Sequence, residues 1–131
     1  MRAVAWDTWA FLESALEGSR RDDVEALLEE ADYIFTVRDV VAETFNFLCR
    51  RTRRTEVAWE WWQSLRAGVV RIFDPSLDEV HAFIAGAPRG SDLSFTDYSL
   101  AWAAAKNRAQ EIATEDRAFE ALKMRPLFAH R

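Results

Sequence analysis

Short apolar runs alternate with longer amphipathic stretches along almost the whole of this chain, and that alternation limits the fold more than any other feature. Ala3-Val4-Ala5-Trp6, Tyr33-Ile34-Phe35-Thr36-Val37 and Val69 to Phe73 are short and rich in β-branched and aromatic residues, as buried strands are. Between the first two, Thr8 opens an amphipathic stretch through Leu16 that Gly18 ends. Asp22-Asp23 then leads a helix through Leu27 and Leu28, its acids at the positive end of the helix dipole. Residues from about Asp39 to Arg51, Glu56 to Ala67, Leu77 to Ala85 and Phe95 to Arg108 read as further helices, the last alanine-rich. Gly86-Ala87-Pro88-Arg89-Gly90 is the clearest loop, and Glu111 to Thr114 and Arg125 to Phe128 read as short strands around a helical turn. The expected fold is therefore α/β, a three-layer α/β/α sandwich with a central, mainly parallel sheet of about five short strands.

A chain of 131 residues, 50% hydrophobic, suits one domain over residues 1–131 that buries about two-thirds of its unfolded surface. Its 22 acidic residues outnumber 17 Lys and Arg, for a net charge of -5, so any RNA or DNA contact has to be local. Cys49 is the only cysteine, which excludes an intramolecular disulfide and is compatible with a reducing compartment. The opening residues meet Asp7 before an apolar signal core forms, and no apolar run approaches the roughly 20 residues that span a bilayer. A soluble, cytoplasmic protein with no membrane partner is expected. No G-x-x-x-x-G-K-[ST] loop is present to cradle a nucleoside triphosphate.

Open parallel sheets bind ligands outside the carboxyl ends of their strands. Asp7 and Asp116 fall at two such ends, and Glu43 and Asp97 lie in the helices near others. Each acid also has a plain structural reading. Asp97 shares its helix face with Leu100, Ala101 and Ala104, an odd place for a charge, yet Ser94 and Asp97 have the spacing of a capping box. Asp39, Glu43, Asn46 and Arg50 make one polar stripe, which is commonly just a solvated face. Asp7 and Asp116 are placed as ordinary helix caps.

Taken jointly, the segments around these acids resemble the PIN-domain family, and within it the VapC-like ribonuclease toxins of type II toxin-antitoxin pairs. The resemblance rests on Val4-Ala5-Trp6-Asp7-Thr8, on Val40 to Leu48 around Glu43, on Asp92-Leu93-Ser94-Phe95-Thr96-Asp97-Tyr98-Ser99-Leu100, and on Thr114-x-Asp116-x-x-Phe119, in that order. It spans nearly the whole chain. Trp9 departs from it, standing where that family often has a small or polar residue.

The resemblance implies that Asp7, Glu43, Asp97 and Asp116 hold one or two Mg²⁺ or Mn²⁺ ions, with Asp7 and Asp97 as direct ligands and Asp92 as a fifth candidate. Hard divalent cations prefer such oxygen ligands. Zinc is disfavoured, because His81 and His130 stand far apart in sequence and Cys49 has no C-x-x-C partner. A cation-activated water would attack a phosphodiester in line, with Thr8 and Thr114 orienting waters or carboxylates. The toxin branch implies an RNA substrate and a cognate antitoxin.

Arg50-Arg51-Thr52-Arg53-Arg54 is a basic cluster suited to substrate phosphates, although it also lies at a predicted helix C-terminus, where the dipole favours cations in any protein. Trp59, Trp61 and Trp62 cannot all face one core from one helix, so some are expected at the surface. There they would stack on bases or, the favoured reading, form a homodimer seam or an antitoxin groove. Trp6 and Trp102 look like core.

Two other classes remain open. A haloacid-dehalogenase-like phosphatase would show Asp-x-Asp where this chain has Asp7-Thr8-Trp9, and a receiver domain would want an acidic pair with a late lysine, for which only Lys106 and Lys123 are available. A PIN-like protein acting mainly as an RNA- or protein-binding module, with weak catalysis, is the second alternative.

Overall fold

The computed structural model describes residues 1–88 and 92–130. Its elements follow in the order β1 (Ala3–Trp6), α1 (Thr8–Ala15), α2 (Arg21–Glu30), β2 (Tyr33–Val37), α3 (Arg38–Thr52), α4 (Thr55–Ala67), β3 (Arg71–Phe73), α5 (Leu77–Gly86), α6 (Phe95–Lys106), β4 (Glu111–Ala113), a 3-10 turn (Arg117–Leu122) and β5 (Arg125–Pro126). The alternation read from the sequence is the alternation in the fold. β3 starts later than apolarity alone indicates: Val69 is 78% exposed and stays out of the strand, which pairs with residues 35–37 of β2. The strand assignment of β5 stops at Pro126, although the Leu127 and Phe128 N–H groups still donate to the Ile112 and Thr114 carbonyls at 3.0 Å. Gly86 closes α5 and Ala87 and Pro88 lead out of it, while Arg89 and Gly90 of the expected loop lie outside the described residues.

All five strands are parallel, in the order β3-β2-β1-β4-β5, with Val4 opposite Ile34, Ala5 opposite Ile112 and Val37 opposite Phe73. The chain steps outward from β1 to β2 to β3, then returns to the other side of β1 as β4. Right-handed crossovers put the helices of the outward and return legs on opposite faces, which gives the three layers expected from the sequence. The reversal of strand order falls between β1 and β4, so a crevice opens beyond their carboxyl ends.

Burial of the central strands holds this geometry. Val4, Phe35, Val37 and Ile112 are fully buried, and fully burying a side chain of this size contributes about 1.5–3 kcal/mol, with the buried Ala5 packed between them. In α6, Leu100, Ala101 and Ala104 are buried, and the small alanines let the helix lie close on β1 and β2. Asp97 does head this apolar stripe. Thr36 in β2 donates its hydroxyl to the Trp6 carbonyl at 2.8 Å, fastening the two central strands just before Asp7.

Trp6 is a core residue, stacked at a tilt on Phe11, whose ring meets Trp61 edge-on at 5.6 Å. Trp102, expected in the core, is only half-buried: its ring packs at the edge of the core with the Lys106 ammonium 5.6 Å away. The three tryptophans of α4 diverge as their spacing requires. Trp61 turns to the core, Trp62 is half-buried and Trp59 is 52% exposed. No helix among the described residues is long and apolar enough to cross a membrane.

Candidate active site

Asp7 is the hub of the site. It ends β1 and caps α1, and its carboxylate is held from both sides: Oδ1 accepts the Thr8 N–H at 2.8 Å and Oδ2 accepts the Thr114 hydroxyl at 2.8 Å. Thr114 follows β4, is fully buried, and also accepts the Asp116 N–H at 3.2 Å. One hydroxyl thus joins the ends of the two strands that flank the crevice. Asp116 in turn accepts the Ala118 N–H with Oδ1 at 2.9 Å and caps the 3-10 turn.

Asp97 sits half-buried in the first turn of α6 in a complete capping box with Ser94. The Ser94 N–H donates to Asp97 Oδ2 at 3.0 Å, and the Asp97 N–H donates to the Ser94 hydroxyl at 3.2 Å. The capping and functional readings of these aspartates are compatible. A carboxylate oxygen has two lone pairs, so each cap fixes the orientation of the group and leaves acceptor sites for a cation. The N-termini of α1, α3, α6 and the 3-10 turn all open on this edge of the sheet, where their partial positive charge offsets part of the carboxylate repulsion.

Glu43 is exposed on the second turn of α3, and its charge acts on both Asp7 and Asp97. Burial first, then the charges of Asp97 and Glu43, push the Asp7 carboxyl from its ordinary 3.8 up to about 7, against the hydrogen bonds from Thr114 and Thr8 that pull it down. Burial also raises Asp97, helped by Asp116 and Glu43 and opposed by Ser94. Asp97 therefore lies within electrostatic range of the other three acids singled out in the sequence, and Glu43 within range of Asp7.

They do not close into a finished ligand shell. Among the described residues, no three His, Cys, Asp or Glu side chains stand close enough together to hold a metal ion as they are. Mg²⁺ itself needs few protein ligands, since it commonly keeps several waters and binds through one or two carboxylates. The donor set fits such an ion in two respects: every candidate ligand is a hard oxygen, and the buried Thr8 hydroxyl beside Asp7 has no protein partner. A buried hydroxyl with no protein partner suits a site that takes a ligand or its water.

Asp92 is exposed in the loop ahead of α6. Arg50, Arg51, Arg53 and Arg54 are not brought to the acids: they lie at the far end of α3, about 10 Å or more along the axis from Glu43 at 1.5 Å per residue. Arg54 pairs with Glu56 at 3.2 Å. Sequence reading passed over Asp39, which proves to brace the site. The buried Ser99 hydroxyl donates to Asp39 Oδ2 at 2.7 Å, tying the first turn of α3 to α6 and so setting Glu43 against Asp97. Only its position one turn before Glu43 hinted at this.

An all-parallel five-stranded sheet in this order, flanked by helices, is a PIN-like α/β fold. Among solved structures, VapC20 of Mycobacterium tuberculosis, a toxin that cleaves the sarcin-ricin loop, matches it with a TM-score of 0.78 over 95% of this chain and 98% of that one, at 19% sequence identity. No family model matches the sequence, and no curated protein matches it significantly.

Proposed function

We propose that this protein is an Mg²⁺- or Mn²⁺-dependent endoribonuclease, the toxin of a toxin-antitoxin pair. The observation that carries the reading is the convergence of Asp7, Glu43, Asp97 and Asp116 on the crevice between β1 and β4, in a fold shared with a VapC toxin. Clustered carboxylates repel, by about 4 kcal/mol per pair at 4 Å and an effective dielectric of 20. A sheet that gathers four of them on one edge is suited to hold a cation there.

In this reading Asp7 and Asp97 would hold the ion directly, and Glu43 and Asp116 would complete its site. When bound, the cation supplies an activated water and neutralises charge developing on the phosphodiester. The protein supplies the orientation. Thr114 and the Thr8 N–H fix Asp7, Ser94 fixes Asp97, and the Thr114-Asp116 contact sets the fourth acid relative to the first. The free Thr8 hydroxyl orients a water at the buried side of Asp7.

The partners in this reading are an RNA, a cognate antitoxin protein and a second copy of the chain, all in the cytoplasm. The test is incubation of end-labelled RNA with purified protein and Mn²⁺, with mass analysis of the new ends. Cleavage that EDTA abolishes, without 2′,3′-cyclic phosphate ends, is expected, because the nucleophile is water and not the ribose hydroxyl. RNA binding without metal-dependent cleavage would instead establish the binding-module alternative.

A further inference from the structure

The α3-α4 hairpin carries a feature that the acid site does not use. A groove of about 400 Å³ runs between the two helices, walled by Phe45, Trp59 and Trp62 with Arg38 and Asn46, and no carboxylate lines it. Trp59 is 52% exposed. The Arg66 guanidinium lies 5.7 Å from the Trp62 ring and occupies one of its faces, which leaves Trp59 as the open stacking surface. Arg38, the first residue of α3, has a 3.9 Å contact to the exposed Asp74 as its one ion pair among the described residues.

Asn46 at the rim of the groove also belongs to a stripe of α3 in which Glu43, Asn46 and Arg50 follow at three- and four-residue spacing, leading from the acid site toward Arg50, Arg51 and the left-handed C-cap Arg53 at the turn into α4. Arg50, Arg51 and Arg53 make no ion pair among the described residues, so their charge is not neutralised within a chain of net charge -5. A polyanion with flat apolar faces along its length fits both features: backbone phosphates on the arginines, unpaired bases on the aromatic rings.

Resting on the ribonuclease reading, we infer that the α3-α4 groove is a subsite for single-stranded RNA, in which a base stacks on Trp59 while Arg50, Arg51 and Arg53 hold the phosphates that lead along α3 to the acids. Trp59 and these arginines position the strand and take no part in the chemistry. The substrate is then single-stranded on the side entering from the hairpin turn, and this preference comes from stacking and charge, not from base-edge hydrogen bonds.

The experiment measures binding of a fluorescein-labelled eight-nucleotide oligoadenylate by anisotropy in EDTA, where cleavage cannot occur, over a range of salt. Wild type is expected to bind with a steep salt dependence. Trp59→Ala is expected to weaken binding about five- to hundred-fold with an unchanged melting temperature. Replacing Arg50, Arg51 and Arg53 with alanine should flatten the slope of log K against log salt by about 0.7 for each phosphate no longer neutralised. Equal binding by wild type and both variants, or no binding by wild type, overturns the inference. So does unchanged RNA binding accompanied by a shift of Trp59→Ala from dimer to monomer in sedimentation, which would make this face a protein interface. Mn²⁺-dependent cleavage is scored separately. Cleavage with no role for Trp59 removes only the subsite, whereas Trp59-dependent binding by a wild type that never cleaves removes only the nuclease reading.

Discussion

The Thr114 hydroxyl donates to Asp7 Oδ2 at 2.8 Å across the strand reversal, joining residues 107 apart in sequence. This bond favours ionised Asp7 and opposes the burial that raises its pKa. Thr114→Val should push Asp7 further up and leave its carboxylate free to rotate. RNA cleavage is then expected to fall at neutral pH and to recover in part at higher pH, while Thr114→Ser, which keeps the hydroxyl, retains the wild-type profile. A pH-rate series for the three proteins checks this, and coincident profiles for Val and wild type would remove Thr114 from the site.

Asp97 serves both the cap of α6 and the acid site, and two substitutions separate these roles. Asparagine can still accept the Ser94 N–H, so Asp97→Asn should abolish Mn²⁺-dependent cleavage while the metal-free protein stays as stable or becomes more so, one repelling charge being gone. Asp97→Ala loses the bond from the Ser94 N–H, the reciprocal half of the capping box, and should be less stable than Asp97→Asn by about 0.5–1 kcal/mol. Urea denaturation in EDTA measures both. Full activity in the asparagine variant would show that the metal site lies elsewhere.

Mn²⁺ or Mg²⁺ should raise the melting temperature by mass action, corresponding to about 2.7 kcal/mol at a hundredfold excess over Kd. The increment should shrink sharply in Asp7→Asn and Asp97→Asn and persist in Trp59→Ala. Calorimetric scans with and without EDTA decide it.

The buried Asp7 also predicts how metal-free stability depends on pH. Its folded pKa, about 7, lies above its ordinary value of 3.8, so the folded state binds the extra proton between these values. Stability from this group is then fully present below about pH 4 and is lost as pH rises through 7, on the order of 4 kcal/mol in all. In EDTA, unfolding free energy should fall more steeply from pH 5 to 8 in wild type than in Asp7→Asn, and saturating Mn²⁺ should cancel the difference. Parallel curves for the two proteins would contradict the burial of an ionisable Asp7.

The sequence by itself determined the order and kind of nearly every element, because the apolar period switches between strand and helix and the segments are punctuated by Gly18, Asp74-Pro75 and Gly86. It also marked Asp97 as a charge on an apolar stripe. It could not distinguish Glu43 from solvated surface, because a polar stripe has the same pattern whether or not it faces other acids. Nor could it show that Asp39 bonds Ser99, that Trp102 stops at the edge of the core, or that the basic cluster begins about 10 Å along α3 from Glu43. Those facts depend on strand order and on the direction in which each helix leaves the sheet. Only the tertiary structure decided that β4 returns beside β1, and that return brings Thr114 and Asp116 to Asp7 and turns separate helix caps into one cluster of mutually repelling carboxylates.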